Sequence, residues 1–215
     1  MDMRKVLLII LMFCGLQGYA QNPMEMLLGP DVPAVVYATF DGSYIGSNTA
    51  LSGGNLVATC STAQTAAMAT IGGSTTGKST GKWYWEITLT SNTGAPSVGV
   101  YSGTGANLNT YVWNNSGGYA YYYLLGGWGH ATAVDYSWFS CGTLLSGDVI
   151  GVALDAGSNT ITFHVNGALR TPTANAISGG NYFPAVNSQS TTFTANFGAT
   201  AFVYPVPSGY KSGYY

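Results

Sequence analysis

Two overlapping glycine-rich motifs make the most explicit chemical offers in this chain. Gly72-Gly73-Ser74-Thr75-Thr76-Gly77-Lys78-Ser79 fits the G-x-x-x-x-G-K-[ST] pattern of a phosphate-binding loop letter for letter. That chemistry needs a helix directly after the loop, whose first N–H groups and dipole hold the phosphate. Here Gly81 and the β-rich Trp83-Tyr84-Trp85 follow at once. The expectation is therefore a loop joining two strands, without nucleotide. Gly77-Lys78-Ser79-Thr80-Gly81 also fits the G-x-S-x-G nucleophile elbow, which needs a strand, a sharp turn and a helix, with an acid and a histidine downstream. The helix is missing again, and the only histidines, His130 and His164, stand in no recognisable context.

Paired carboxylates fare no better. A glycosidase sets two carboxyl groups across a cleft, ~5–9.5 Å apart. Beyond Ala20 the acids are Glu25, Asp31, Asp41, Glu86, Asp135, Asp148 and Asp155. Glu86 has no acidic neighbours on its strand, while Asp148 and Asp155 bracket one strand as turn residues that bond their own backbone. No catalytic residue is expected. Two lone histidines and unclustered carboxylates predict no metal site, and no cofactor is expected.

The segment best suited to binding is Tyr111 to Trp138. It holds Trp113, Tyr119, Tyr121, Tyr122, Tyr123, Trp128, His130, Tyr136 and Trp138, interleaved with Gly and Asn. Tyr119, Tyr121 and Tyr123 share one face if the run is a strand. Trp128 and His130, by contrast, read as a Gly-Gly-Trp-Gly-His loop. Loop aromatics beside Asn stack on sugar rings or anchor a protein partner at small entropic cost. Two readings stand: these rings pack the edge of the fold, or they form a contact surface. A ligand site is then expected at Trp113, Asn114, Trp128, His130 and Tyr136. Asn114-Asn115-Ser116 is also a formal glycosylation sequon.

The elements that must position these residues are strands. Only 7% of the residues are charged, against ~25% in an average soluble protein. Glu, Lys and Gln are scarce while Thr, Val and Tyr abound, which disfavours helix. Apolar residues make up 47%, too many for acidic disorder. The net charge of -2 and the lack of a basic run give phosphate-backbone affinity nothing to rest on, so nucleic acid is not expected as a partner. Strands are predicted over Asn55–Thr59, Ala66–Ile71, Lys82–Thr90, Ser97–Tyr101, Gly118–Leu124, Asp148–Leu154, Thr160–Val165, Phe183–Val186 and Thr191–Phe197. In the third, Trp83, Trp85, Ile87 and Leu89 share one face. Val149 to Leu154 is apolar on both faces, as in a central strand. Ala156-Gly157-Ser158-Asn159 starts a hairpin, and Asn166-Gly167 gives a tight turn. Many short strands with regular turn signals predict an all-β sandwich.

Several of these segments resemble one family. Gly81-Lys82-Trp83-Tyr84-Trp85-Glu86 is similar to an opening strand signature of SPRY domains, and Val98-Gly99-Val100 to a strand that follows. Gly147 to Asp155 (GDVIGVALD) and Ile161 to Gly167 resemble a later strand and its hairpin. Tyr182-Phe183-Pro184-Ala185-Val186 and Thr194-Ala195-Asn196-Phe197-Gly198 are similar to the closing strands. The segments keep family order from about Tyr37 to Tyr215. His164 stands where the family often has Tyr or Lys. The resemblance implies a concanavalin A-like bent β-sandwich of two antiparallel sheets over 37–215, used for recognition rather than catalysis. It is strongest to SPRY modules of phage structural proteins and bacterial exported proteins.

The first residues read as an export signal. Arg4 and Lys5 precede the apolar run Val6 to Gly15, and Gly18-Tyr19-Ala20 offers small residues for cleavage before Gln21. The run falls short of the ~20 residues that span a bilayer, so no membrane span is expected after its removal. Two rivals are an uncleaved hydrophobic anchor within an assembly and a lipoprotein through Cys14, where Phe13 is bulky. Residues 21–36, with Pro23, Pro30 and Pro33, read as a linker or extended arm. Cys60 and Cys141 either pair as a disulfide or stay separate buried thiols. The expected role is non-enzymatic recognition of a surface glycan or protein, by a chain secreted, at the cell surface, or mounted on a virion. The alternative is a structural subunit (capsid decoration, tail fibre or filament) whose contacts are with its own copies, as a homo-oligomer or larger assembly.

Overall fold

The computed structural model describes residues 33–122, 127–130, 133–135, 144–170 and 175–215. The first strands are β1 (Thr39–Ile45), β2 (Thr49–Ser52), β3 (Val57–Cys60), β4 (Thr65–Thr70), β5 (Lys82–Asn92) and β6 (Ser97–Ser102). A 3-10 turn, Val112–Asn114, precedes β7 (Gly118–Tyr122), β8 (Gly127–His130) and β9 (Ala133–Asp135). Then come β10 (Val149–Asp155), β11 (Thr160–Val165), β12 (Ala168–Leu169), β13 (Asn175–Ala176), β14 (Tyr182–Ser188), β15 (Thr191–Asn196) and β16 (Lys211–Ser212). No described helix is long and apolar enough to cross a membrane.

Two sheets result. Sheet A runs β1-β4-β14-β6-β7-β8-β9, and sheet B runs β12-β11-β10-β5-β15-β3-β2, with β13 beside β11 and β16 beside β5. The described pairings are antiparallel except for β16, which lies parallel to β5 with Lys211 opposite Trp83. Alternation along β5 explains its place. Trp83, Trp85, Ile87 and Leu89 face the space between the sheets, where Trp85 is 0% exposed. Sheet A supplies Val98, Val100, Tyr119 and Tyr121 to the same core. Burial of such side chains contributes roughly 1.5–3 kcal/mol each.

Turns follow the local chemistry. Asn166 (φ 51°) and Gly167 (φ 77°) hold the left-handed conformation that a type I′ turn requires. Asp148 Oδ2 accepts the Leu145 N–H at 2.7 Å and Asp155 Oδ1 accepts that of Ser158 at 3.0 Å, so both acids serve their own turns.

The outer face of β5 is buried too. Tyr84 and Glu86 point away from the core, yet Glu86 is only 2% exposed. The segment after β15 folds across this face: Glu86 Oε2 accepts the Val203 N–H at 2.8 Å and Oε1 accepts that of Tyr204 at 2.9 Å. Tyr84 donates its hydroxyl to Glu86 Oε1 at 3.1 Å, and its ring meets Phe202 edge-on at 5.1 Å. Gly151 lies opposite Glu86 on β10, and a Cβ there would stand 2.9 Å from the Tyr84 ring carbons. Only glycine leaves room for that ring.

The sequence reading differs from the structure in identifiable places. β1, β2, β8, β9, β12, β13 and β16 were not among the expected strands. The strand expected to reach Leu124 is described as far as Tyr122, because residues 123–126 lie outside the described residues. So do the signal expected over 1–20 and the arm as far as residue 32. Cys60 is a free buried thiol, donating to Thr65 O at 3.5 Å, and Cys141 lies outside the described residues.

Candidate functional site

Sheet A has two apolar faces. Along β4, β6, β7 and β14 the inward residues join the main core. The alternate residues Ala66, Met68, Tyr101, Ala120, Phe183 and Ala185 form a second buried cluster on the outer face. Several are alanine, which lets a cover come close. The cover is the loop 103–117, which presses Val112 into the cluster and packs Ala106, Leu108 and Tyr111 at its margin.

Side-chain amides fasten this loop, since it has almost no regular structure of its own. Asn115 Nδ2 donates to the carbonyls of Asn107 (3.2 Å), Tyr111 (3.3 Å) and Val112 (3.4 Å), and to the Tyr101 hydroxyl at 3.4 Å. Its Oδ1 accepts the Asn107 N–H at 2.7 Å. Asn187, fully buried on β14, donates to Thr65 O at 2.9 Å and Thr110 O at 2.8 Å. Asn109 Oδ1 accepts the N–H and hydroxyl of Ser47 at 2.7 and 2.9 Å. The buried amide of Asn187, satisfied on both sides, rigidifies what it joins.

The result is a fixed surface. The turn Val112–Asn114 lies on it, with Val112 buried and Asn114 exposed, its Nδ2 donating to Thr110 Oγ1 at 2.9 Å. Beside it opens a cleft of about 200 Å³ lined by Tyr101, Ser102, Gly105, Ala106, Asn115, Ser116 and Gly117. These lining residues carry no ionisable acid or base except the Tyr101 phenol, whose burial raises its pKa and keeps it neutral. Such a cleft can hydrogen-bond and stack, but its lining has no proton donor or acceptor poised near neutral pH.

Trp113 and Asn114 belong to the turn over the outer face. Trp128 and His130 are not in a loop but on β8, where the backbone register sets them opposite Tyr121 and Tyr119. The same register sets Gly129 opposite Ala120. The side chains of Trp113, Trp128 and His130, and all of Tyr136, lie outside the described residues. Sequence reasoning missed the second cluster and the asparagine ties. Alternating Ala-Ala-Met-Ala in β4 was its one visible trace.

Gly72 to Ser79 forms a loop that leads into β5, and its Lys78 backbone bridges to Tyr182. The loop amides of Gly73, Ser74, Thr76, Gly77 and Lys78 donate to Thr70 Oγ1, Ile71 O, Ser74 Oγ, Asn181 Oδ1 and Tyr182 O. They are committed within the fold.

Two antiparallel sheets around one core, with a loop fixed over the outer face of sheet A, make up the described fold. The sequence profile of the SPRY domain matches residues 82–200, more than half of the 215 residues, and the chain belongs to the SPRY family. Among solved structures it is similar to the SPRY domain of human HERC1, with a TM-score of 0.58 and 20% identity over 73% of this chain and 96% of that one. It is also similar to stonustoxin, at a TM-score of 0.52 and 19% identity, over 74% of this chain and 27% of the toxin chain. At these identities the likeness concerns the fold. No curated protein matches the chain. SPRY domains are in general non-catalytic interaction modules.

Proposed function

We propose that this chain is a non-enzymatic recognition module that captures a protein or glycan on the covered face of sheet A. The observation that carries the reading is the loop 103–117, held by Asn109, Asn115 and Asn187 so that exposed Asn114 stands beside a neutral cleft. A preformed surface avoids the entropy of ordering a loop on binding. Its amide and hydroxyl lining suits peptide carbonyls and sugar hydroxyls alike. The signal-like Met1–Ala20 supports export, with mounting on a virion as the variant of that reading. A second reading, assembly with copies of itself, draws on the scarcity of charge, 7% of residues, which leaves surfaces free of mutual repulsion.

The test is a peptide array and a glycan array probed with the purified chain and with Asn114→Ala. Recognition predicts a defined ligand set that weakens in the variant while the melting temperature holds. A symmetric oligomer without ligand would favour assembly instead.

A further inference from the structure

Four of the chain's six Lys and Arg residues fall in the described region: Lys78, Lys82, Arg170 and Lys211. Three of them converge at the start of β5, although Lys78 and Lys211 are far apart in sequence. Lys82 is compensated by Asp155 at 3.3 Å. Among the described residues neither Lys78 nor Lys211 forms an ion pair. Each instead sets its amine against the same indole, Nζ of Lys78 at 4.4 Å and Nζ of Lys211 at 4.3 Å from the Trp83 ring. Summing those distances puts the two amines within 8.7 Å of each other.

The arrangement is built rather than accidental. Pairing of β16 with β5 sets Lys211 opposite Trp83. The Lys78 backbone exchanges hydrogen bonds with Tyr182 at 2.9 and 3.0 Å, and its N–H also meets the Tyr214 hydroxyl at 3.2 Å. Trp83 Nε1–H donates to Thr80 O at 2.7 Å, which fixes the ring, and Tyr215 closes on it edge-first at 5.4 Å. Burial, and then the charge of Lys211, lower the Lys78 pKa. Holding two like charges together without a counter-ion costs free energy that the ring faces offset only in part. A bound anion would relieve it.

We infer that Lys78 and Lys211, with Trp83 and Tyr215, form a binding site for an acidic peptide segment. Carboxylates meet the two amines, and the partly exposed Tyr215 ring takes the aliphatic parts of the same segment, while the buried Trp83 indole holds the amines in place. Phosphate is the weaker candidate: the loop amides that would cradle it already donate to groups within the fold. The site shares no residue with the cleft lining at loop 103–117, and it adds to the recognition reading without resting on it.

The experiment titrates the ¹⁵N-labelled full chain with acetyl-(Glu)4-amide, acetyl-(Gln)4-amide and inorganic phosphate, following the Trp83 indole N–H and lysine Nζ resonances. The proposal expects saturable shifts at Lys78, Lys211 and Trp83 with the Glu peptide alone, weakened by added salt. It expects at least tenfold weaker binding in Lys78→Gln/Lys211→Gln, and no change in Arg170→Gln, which removes the same charge outside the cluster, or in Asn114→Ala. Lys211→Gln alone, at an exposed position, gives the same direction should Lys78 be needed for folding. No saturable shift, equal binding by the variants, or phosphate binding as tightly as the Glu peptide would overturn it.

Discussion

At Glu86 the carboxylate accepts two backbone N–H groups from Val203 and Tyr204 and a hydroxyl from Tyr84, on a face that another segment covers. Charged acceptors in such bonds contribute more than neutral ones, and each unsatisfied donor is expensive. Glu86→Gln keeps the shape but turns an N–H2 toward donors. It should lower stability by ~1–3 kcal/mol in urea unfolding and speed amide exchange at Val203 and Tyr204. The residue was visible in the sequence, but its role was not, because its partners lie 117 and 118 positions away. His164 gives a pH prediction. Burial lowers its pKa from 6.5, and the Gly167 backbone opposes that in part. A folded-state pKa below the unfolded one means the unfolded chain takes up the proton first. Stability is therefore fully present above about pH 6.5 and falls as pH drops through that value toward the folded pKa. His164→Gln should flatten this limb in denaturant titrations between pH 7.5 and 5. An unchanged slope would show that His164 does not cause it.

Most strands were legible because period-2 alternation and turn residues survive where one face of a strand carries its large apolar side chains. Lys82–Thr90 and Thr160–Val165 are examples, and β5 and β11 follow them closely. Gly-Trp-Gly-His was read as a loop because glycine weakens strands. Pairing with β7 on one side and β9 on the other overrides that weakness. β1 carries Asp41-Gly42-Ser43 and a register shift, which hides its pattern, and β16 is too short to have one. The asparagines of the covering loop were invisible for a different reason. An Asn signals a turn through its own backbone, whereas Asn187 acts on the Thr65 and Thr110 carbonyls, 122 and 77 positions away, and Asn115 reaches back eight residues to Asn107. Asn115→Ala should therefore leave both sheets intact while freeing the loop 103–117. Limited proteolysis should cut within it several-fold faster, and stability should fall by ~1–3 kcal/mol as the Asn107 N–H and carbonyl lose their side-chain partner.

Across the whole molecule the two sheets are each covered outside as well as packed inside, by the loop 103–117 over sheet A and by the segment reaching Val203 and Tyr204 over sheet B. This double cover explains how so weakly charged a chain buries Tyr84, Tyr101 and Phe183, which a simple two-layer sandwich would leave at the surface. The family and the two-sheet architecture were readable from ordered short motifs. The surface that the loop builds was not, since it depends on contacts between distant segments. Cys60 is sealed in the interior with its thiol pushed up to about 11, so it stays unreactive at neutral pH. The central claim is that this fixed loop surface recognises a ligand. Its most direct test is calorimetric affinity for the strongest array hit, measured with the parent chain and with Asn114→Ala, alongside both melting temperatures. The account predicts at least a tenfold loss of affinity, ~1.4 kcal/mol, with melting temperatures that agree. Equal affinity in the two proteins would contradict it.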